Sequence, residues 1–458
     1  MPYSPLLIDP ASTDNIGSYS MAPNGYGWAQ QNSPFVYNGK LYMVLYRATN
    51  APAANDFSIN VFVSSDKGST WAALDAAHAP VRGTAGATGG CYFDGGHTVT
   101  VAWTDGSQLG ATGTIHLQDF DLSAGVWGAA YGAAGSQVVN LVDQIYKRPD
   151  GSLIALFNRT FAAGRVQGLS AAVFSAGAWG AAFPIDSNIT AGNVSDSRAA
   201  TVMDASGNLY VFTRCTDTAT FSTHFWSFQI VNADNSLGAS HNFATTDLDA
   251  TVNGNGNPVL IGNQVVFGAM TPLTGGQAAV VVVGTPLSAP VFTISPGIDP
   301  GSPFSAGGTY YVPVLAASAT TLYGLIAITD TSGLNTVLSL RLGQTTNLAN
   351  PAAGWSWSEI YNIASGPPSF NFVGQVWNNR TLAIYNNNTQ IFVTAGAQID
   401  AAAVQDTWFW FGIFTGVAAN FSVTLHGVNR YPRDNSSGPQ VLVVGPEPFR
   451  PLPLRFKR

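Results

Sequence analysis

The sequence predicts an all-β chain closed into a β-propeller, a ring of four-stranded blades. Seven blades are the main expectation, and six with an appended hairpin the alternative. Three observations predict this. First, a turn followed by an apolar strand recurs at Asn38-Gly39, Gly95-Gly96, Asp150-Gly151, Ser206-Gly207, Gly262-Asn263, Gly307-Gly308 and Asn378-Asn379. The spacing is about 55 residues until the last two steps, one short and one long, and a period of this size marks a bladed repeat. Second, short apolar runs such as Pro34 to Tyr37, Ala199 to Met203 and Pro258 to Ile261 precede these turns, so each turn joins the two inner strands of a blade. Third, Ser64-Ser65-Asp66-Lys67-Gly68-Ser69-Thr70-Trp71 directly follows the apolar run Ile59 to Val63. Its Asp66 can fold back onto backbone N–H groups of a tight turn, Gly68 permits the backbone, and Trp71 opens the returning strand as an anchor.

The elements follow in chain order. Residues 1–27 are expected to form an N-terminal arm, 28–412 the propeller, and 413–458 a C-terminal β-hairpin with an extended tail. The outer halves of the blades repeat as well as the inner ones. Leu122-Ser123-Ala124-Gly125-Val126-Trp127-Gly128 is nearly duplicated by Phe174-Ser175-Ala176-Gly177-Ala178-Trp179-Gly180, and Gly354-Trp355-Ser356-Trp357 keeps a Gly-x-Ser-Trp variant. Thr407 to Phe411 is expected to finish the last blade, with Phe421 to Leu425 and Gln440 to Val444 as an extra strand pair beyond the ring. The end, Gly445 to Arg458, is Pro-rich and locally basic, which rules out helix or central strand and leaves an extended segment.

Composition narrows the function. The chain has 458 residues, of which only 9% are charged, and its formal charge is −7. An acidic surface offers no attraction to nucleic acid or to an anionic membrane, so neither is expected as a partner. No apolar run is long enough to span a bilayer, and the start Met-Pro-Tyr-Ser-Pro lacks the basic and apolar regions of an export signal. The two cysteines, Cys91 and Cys215, carry no metal-ligand spacing and are expected as free, buried thiols. No cofactor motif occurs; several Asp/Asn-rich loops would permit calcium, and none specifies it. Glutamate is limited to Glu359 and Glu447, so chemistry that needs a pocket Glu has few candidates.

Topology selects the face that can hold a site. In a four-stranded antiparallel blade the first-to-second and third-to-fourth turns share one face, and the second-to-third turns and blade connections share the other. Second strands are expected to end at Arg47, Thr104, Arg159 and Arg214. Entry and interblade loops add Trp28, Gln31, Arg82, Asp186, Asp196, Arg198, Asp247, Asp249 and Asp299. In so charge-poor a chain this gathering of Arg and Asp marks the axial mouth as the candidate ligand site. The ligand-binding set read from these positions is Trp28, Gln31, Arg47, Arg159, Asp196, Arg198, Arg214 and Asp249.

The Ser64–Trp71 motif resembles the Asp-box, or BNR repeat, of sialidase-like β-propellers, in which it is a structural staple at the third-to-fourth turn. The resemblance implies that Ser64, Asp66, Gly68, Thr70 and Trp71 are structural. It also implies a sugar-facing mouth on the opposite face. The family's first blade runs from an Arg on an inner strand to an Arg at the next strand end, an Asp acid/base and then the box. This chain keeps Arg47, Asp56 and Asp66 in that order and places Asn32 where the leading Arg is expected, so the resemblance adds Asn32 and Asp56 to the ligand-binding set, with Asp56 the catalytic candidate if the chain is an enzyme. An amide cannot replace a bidentate guanidinium clamp on a carboxylate. The family's Tyr nucleophile has no counterpart in Ser365-Gly366-Pro367-Pro368-Ser369-Phe370-Asn371. The expected function is therefore a non-catalytic, carbohydrate-recognising propeller whose partner is a glycan. The alternatives are a glycoside hydrolase using Asp56 with Asp196 or Asp249, and a purely structural scaffold. The Gly/Ala/Thr/Asn-rich composition resembles virion proteins of tailed phages. That likeness implies host attachment, a place in an oligomeric assembly and contacts with other virion subunits through the tail, with secretion by a non-standard route as the alternative location.

Overall fold

The structure is a computed structural model that describes residues 19–20, 35–48, 57–65, 72–74, 81–82, 90–104, 113–133, 141–160, 167–185, 193–217, 224–248, 258–273, 276–298, 308–310, 313–330, 337–362, 381–385, 390–401, 404–415 and 422–428. These residues form β-strands and turns without a helix, in seven antiparallel sheets.

Sheet 1 joins β1 (Tyr19–Ser20), β2 (Phe35–Tyr37), β3 (Lys40–Ala48), β4 (Phe57–Ser64), β5 (Ala72–Ala73) and β6 (Val81–Arg82). Sheet 2 holds β7 (Cys91–Phe93), β8 (Thr98–Thr104), β9 (Ile115–Asp121) and β10 (Val126–Trp127). Sheet 3 holds β11 (Leu141–Lys147), β12 (Leu153–Thr160), β13 (Gln167–Ser175), β14 (Ala178–Trp179) and β15 (Phe183–Pro184). Sheet 4 is β16 (Asn193–Met203), β17 (Leu209–Asp217), β18 (His224–Val231) and β19 (Leu237–Asn242). Sheet 5 is β20 (Val259–Ile261), β21 (Gln264–Leu273), β22 (Gly276–Thr285) and β23 (Val291–Ile294). Sheet 6 joins β24 (Gly308–Tyr310), β25 (Val314–Ala317), β26 (Leu322–Asp330), β27 (Val337–Thr345) and β28 (Ser356–Asn362). Sheet 7 is β29 (Thr381–Tyr385), β30 (Gln390–Ala401), β31 (Val404–Thr415) and β32 (Ser422–Val428), and β29 lies against both β25 of sheet 6 and β2 of sheet 1.

The core explains why the second strands read as unbroken apolar runs. A strand covered on both faces sends alternate side chains to opposite neighbours. In β12, Leu153, Ala155 and Phe157 pack toward sheet 2, while Ile154 and Leu156 pack toward sheet 4. In β17, Leu209 and Val211 face sheet 3, while Tyr210 and Phe212 face sheet 5. Phe212 stacks on Phe267 of β21 with ring centroids 4.3 Å apart, and Phe35 of β2 stacks on Phe93 of β7 at 4.4 Å. Each hydrophobic cluster between sheets 1 and 6 is thus shared by two neighbouring sheets.

The inner hairpins fall as expected in sheets 1 to 5. Asn38 and Gly39 have φ of 47° and 71°, a left-handed pair that fits a two-residue hairpin turn. Two expectations are corrected further along. Gly307-Gly308 does not open the sixth inner hairpin, because Gly308–Tyr310 is itself a strand, β24, pairing with the far end of β26. The hairpin lies at Ser318–Thr321, which brings the spacing back to about that of the earlier blades. It was hidden because it uses no glycine: Ser318 Oγ accepts from the N–H groups of Thr320 (3.2 Å) and Thr321 (3.0 Å), a side-chain substitute for the usual turn. Likewise Thr381–Tyr385 is the first strand of sheet 7, paired with β30, where a second strand was expected. β31 runs through residue 412 and pairs with Ser422–Val428, so Ser422 to Leu425 lies in the fourth strand of sheet 7. Asn378-Asn379 and Gln440 to Val444 lie outside the described residues.

The outer turns serve as staples between blades. Trp179 Nε1 donates to the Gly132 carbonyl in sheet 2 at 2.6 Å, and Trp357 Nε1 donates to the Ile298 carbonyl in sheet 5 at 2.7 Å. Trp127 packs edge-on against Phe120 and joins the cluster with Leu74 of sheet 1. Ser64, at the end of β4, is buried, and β5 begins at Ala72, so the intervening residues join a third to a fourth strand. Asp66, Gly68, Thr70 and Trp71 lie outside the described residues.

Candidate functional site

The two faces of the ring differ, and contacts between turns identify them. Arg148, in the β11–β12 turn, donates to Asn235 Oδ1 (2.7 Å) and to the Asn232 carbonyl (3.1 Å) in the β18–β19 turn. First-to-second and third-to-fourth turns therefore share one face, as the topology requires. The carboxylates there are structural. Asp121, Asp150 and Asp234 each accept from a serine N–H and hydroxyl two residues on, and those bonds hold their carboxyls below the usual range.

The opposite face carries the mouth. Arg47 is next to last in β3, Thr104 is last in β8, Arg159 is next to last in β12, and Arg214 stands near the end of β17. Arg82 joins them on β6, opposite Phe57 at the start of β4. Arg214 is 5% exposed and engaged with neighbouring groups, so its charge is built into the wall. Sheet 2 presents no Arg at this level. Its Trp103 stacks on His116 with ring centroids 5.2 Å apart, and Thr114 Oγ1 lies 3.1 Å from His116 Nε2.

A shared irregularity places further residues at this level: inner strands lose their pairing as they approach the mouth. In sheet 1 pairing to β3 passes from Phe35↔Tyr42 to Ser20↔Tyr46, with a long insertion between. In sheet 3, Val142↔Phe157 is followed by Gln144↔Leu156, which leaves Asp143 as an extra residue. In sheet 4, Ser195↔Cys215 is followed by Ala199↔Thr213, so Asp196, Ser197 and Arg198 stand opposite Arg214 alone. In sheet 6, Tyr310↔Ile328 is followed by Val314↔Leu325. Bulges of this kind release backbone groups from the ladder and re-aim side chains, and they concentrate at barrel rims and beside sites.

The structure therefore brings Arg159, Asp196, Arg198 and Arg214 to one rim of sheets 3 and 4, with Arg47 on the rim of sheet 1. Trp28, Gln31, Asn32, Asp56, Asp186, Asp249 and Asp299 lie outside the described residues. Asp247 is exposed in the loop after β19. Glu359 lies on β28, the outer strand of sheet 6, opposite Arg341 and away from the axis. Sequence reasoning missed Asp143. Its signal was the adjacent polar pair Asp143-Gln144 inside an otherwise apolar inner strand, a break in period 2 that marks a bulge. Cys91 and Cys215 are buried thiols not joined in a disulfide, and burial pushes the Cys91 thiol up to about 12.

No protein-family model matches the chain, and no curated protein matches it in sequence. Among solved structures it is similar to the polysaccharide lyase Uly1, at 9% identity over 86% of this chain and 91% of that one, with a TM-score of 0.46. It is also similar to an α-L-arabinanase of Penicillium chrysogenum complexed with arabinobiose (14%, 69% and 94%, TM-score 0.40). A third is the α-L-arabinofuranosidase Arb93A of Fusarium graminearum (12%, 82% and 90%, TM-score 0.41).

Proposed function

We propose that the chain is a carbohydrate-recognising β-propeller that seats a glycan over the axial mouth without cleaving it. The observation that carries this reading is the paired bulging of β11 and β16, which sets Asp143, Asp196 and Arg198 beside Arg159 and Arg214. Guanidinium groups donate in a planar fork and carboxylates accept, a combination suited to vicinal hydroxyls or to a sugar acid. Two observations support the absence of turnover in this reading: glutamate is limited to Glu359 and Glu447, and Glu359 stands on an outer strand. Attachment within a virion-like assembly through the C-terminal tail belongs to the same proposal.

A glycan array run beside a panel of fluorogenic glycosides tests it. Binding without turnover is the expected result. Arg47→Ala combined with Arg159→Ala is expected to abolish binding while the far-UV spectrum keeps its β signature; binding that survives both changes rules out the mouth. The second reading, a hydrolase with paired carboxylates, is favoured by one feature, the presence of an Asp in the bulge of each of two adjacent inner strands. Such chemistry needs the two carboxyls roughly 5–10 Å apart. Turnover lost in Asp143→Asn and Asp196→Asn would establish it.

A further inference from the structure

β11 leaves its ladder with β12 at Asp143 and resumes it at Gln144. β16 leaves its ladder with β17 over Asp196 to Arg198 and resumes it at Ala199. Gln144 Nε2 donates to the Ala199 carbonyl oxygen at 3.0 Å. The first re-paired residue of one inner strand is thus bonded to the first re-paired residue of the next. The other end of the amide is filled too. Gln144 Oε1 accepts from Thr201 Oγ1 at 2.6 Å, and the Tyr146 hydroxyl lies 2.9 Å from Gln144 Oε1 and 2.8 Å from the Thr201 carbonyl oxygen. Gln144, Tyr146, Ala199 and Thr201 are all buried, where each hydrogen bond is strong and a lost partner has no water to replace it.

We propose that Gln144 is a positioning residue for the mouth: its side-chain amide ties the two bulged inner strands together immediately past their bulges and so fixes the spacing of Asp143 from Asp196 and Arg198. The tie itself stands on the hydrogen bonds, and its purpose rests on the reading of the mouth as a glycan site. A primary amide suits this role because it donates to one strand's carbonyl and accepts from hydroxyls on both. Leucine would fill the volume and make none of these bonds.

Gln144→Glu distinguishes a tie from mere filling. When protonated, the introduced carboxyl can still donate to Ala199 O and accept from Thr201 and Tyr146; when ionised, it faces that carbonyl without a proton and the tie is lost. Burial raises a carboxyl's pKa, which places the change above the ordinary range. The titratable and charged groups around it are Tyr146 and Asp143 on β11, Tyr92 on β7, Asp196 and Arg198 on β16, and Arg159 and Arg214 on β12 and β17. The two phenols are held above their usual range, mainly by burial. Amide hydrogen exchange of the full chain, compared with wild type at the same pH, is the readout. The glutamate variant is expected to match wild type near pH 5 and to lose protection about tenfold near pH 9 over residues 141–146 and 193–201, while residues 278–283 in sheet 5 stay protected. Gln144→Leu is expected to lose the same protection at both pH values. Unchanged exchange over those segments in the leucine variant, or a loss that spreads equally to sheet 5, overturns the proposal. The affinity of the glutamate variant for an array-identified glycan is expected to fall over the same pH rise. Loosened bulges with affinity intact would uphold the tie and remove the mouth as the glycan site.

Discussion

At the scale of the residue, two kinds of position hold this chain to one structure. Gly90 is of the first kind. A Cβ there would stand 2.8 Å from Gln144 Cα and 2.9 Å from Ile145 N, so the inner strands of sheets 2 and 3 approach closely because no side chain intervenes. Gly90→Ala forces backbone apart and is expected to cost about 1–3 kcal/mol in denaturant unfolding. The turn carboxylates are of the second kind. Asp121, Asp150 and Asp234 have depressed folded-state pKa values, the serine hydroxyl bond being the first cause in each case. A depressed carboxyl stabilises the fold above its unfolded pKa, near 4, and loses that contribution as pH falls through the folded value. The melting temperature is therefore expected to decline on acidification below about pH 4, and replacing all three by Asn is expected to flatten that decline.

At the scale of the element, the blade-to-blade staples make their own prediction. Trp179→Phe keeps the ring against Phe174 but removes the N–H that meets Gly132 O. A loss of about 1 kcal/mol is expected, rising toward 3 if the carbonyl finds no water. Phe212→Ala empties a site shared by sheets 4 and 5 and is expected to cost about 3–5 kcal/mol. Much at this scale was legible in the sequence. Gly39, Gly95, Gly151, Gly207 and Gly262 announce five hairpins because their backbones take positive φ, which other residues resist. The sixth hairpin was hidden because Ser318 Oγ replaces glycine with hydrogen bonds. The β16 bulge was hidden for another reason. The run Ser195-Asp196-Ser197-Arg198 reads as a loop, since polarity alone does not reveal that a strand continues on either side of an interruption.

At the scale of the whole molecule, the ring separates turn-bound carboxylates, with Arg148 among them, from the Arg and bulge-borne Asp of the mouth. Carboxylates tied into turns gather at one end, and Arg with bulge-borne Asp gather at the other, because each strand reverses direction and each turn type returns to its own side. Sheet 7 lies between sheets 6 and 1 through β29, so closure depends on the last part of the chain. Deleting residues 381–458 exposes the apolar flanks of both neighbours. The truncated chain is expected to lose a single cooperative thermal transition, as seen by calorimetry.

Amide hydrogen exchange with an array-identified glycan bound tests the central claim most directly, because it reports which face is covered. The account predicts new protection over residues 141–146, 156–160, 193–199 and 213–217, on the rim of sheets 3 and 4. Protection confined to the turns at 94–97, 121–125, 148–152 and 232–236 would put the ligand on the opposite face and contradict it.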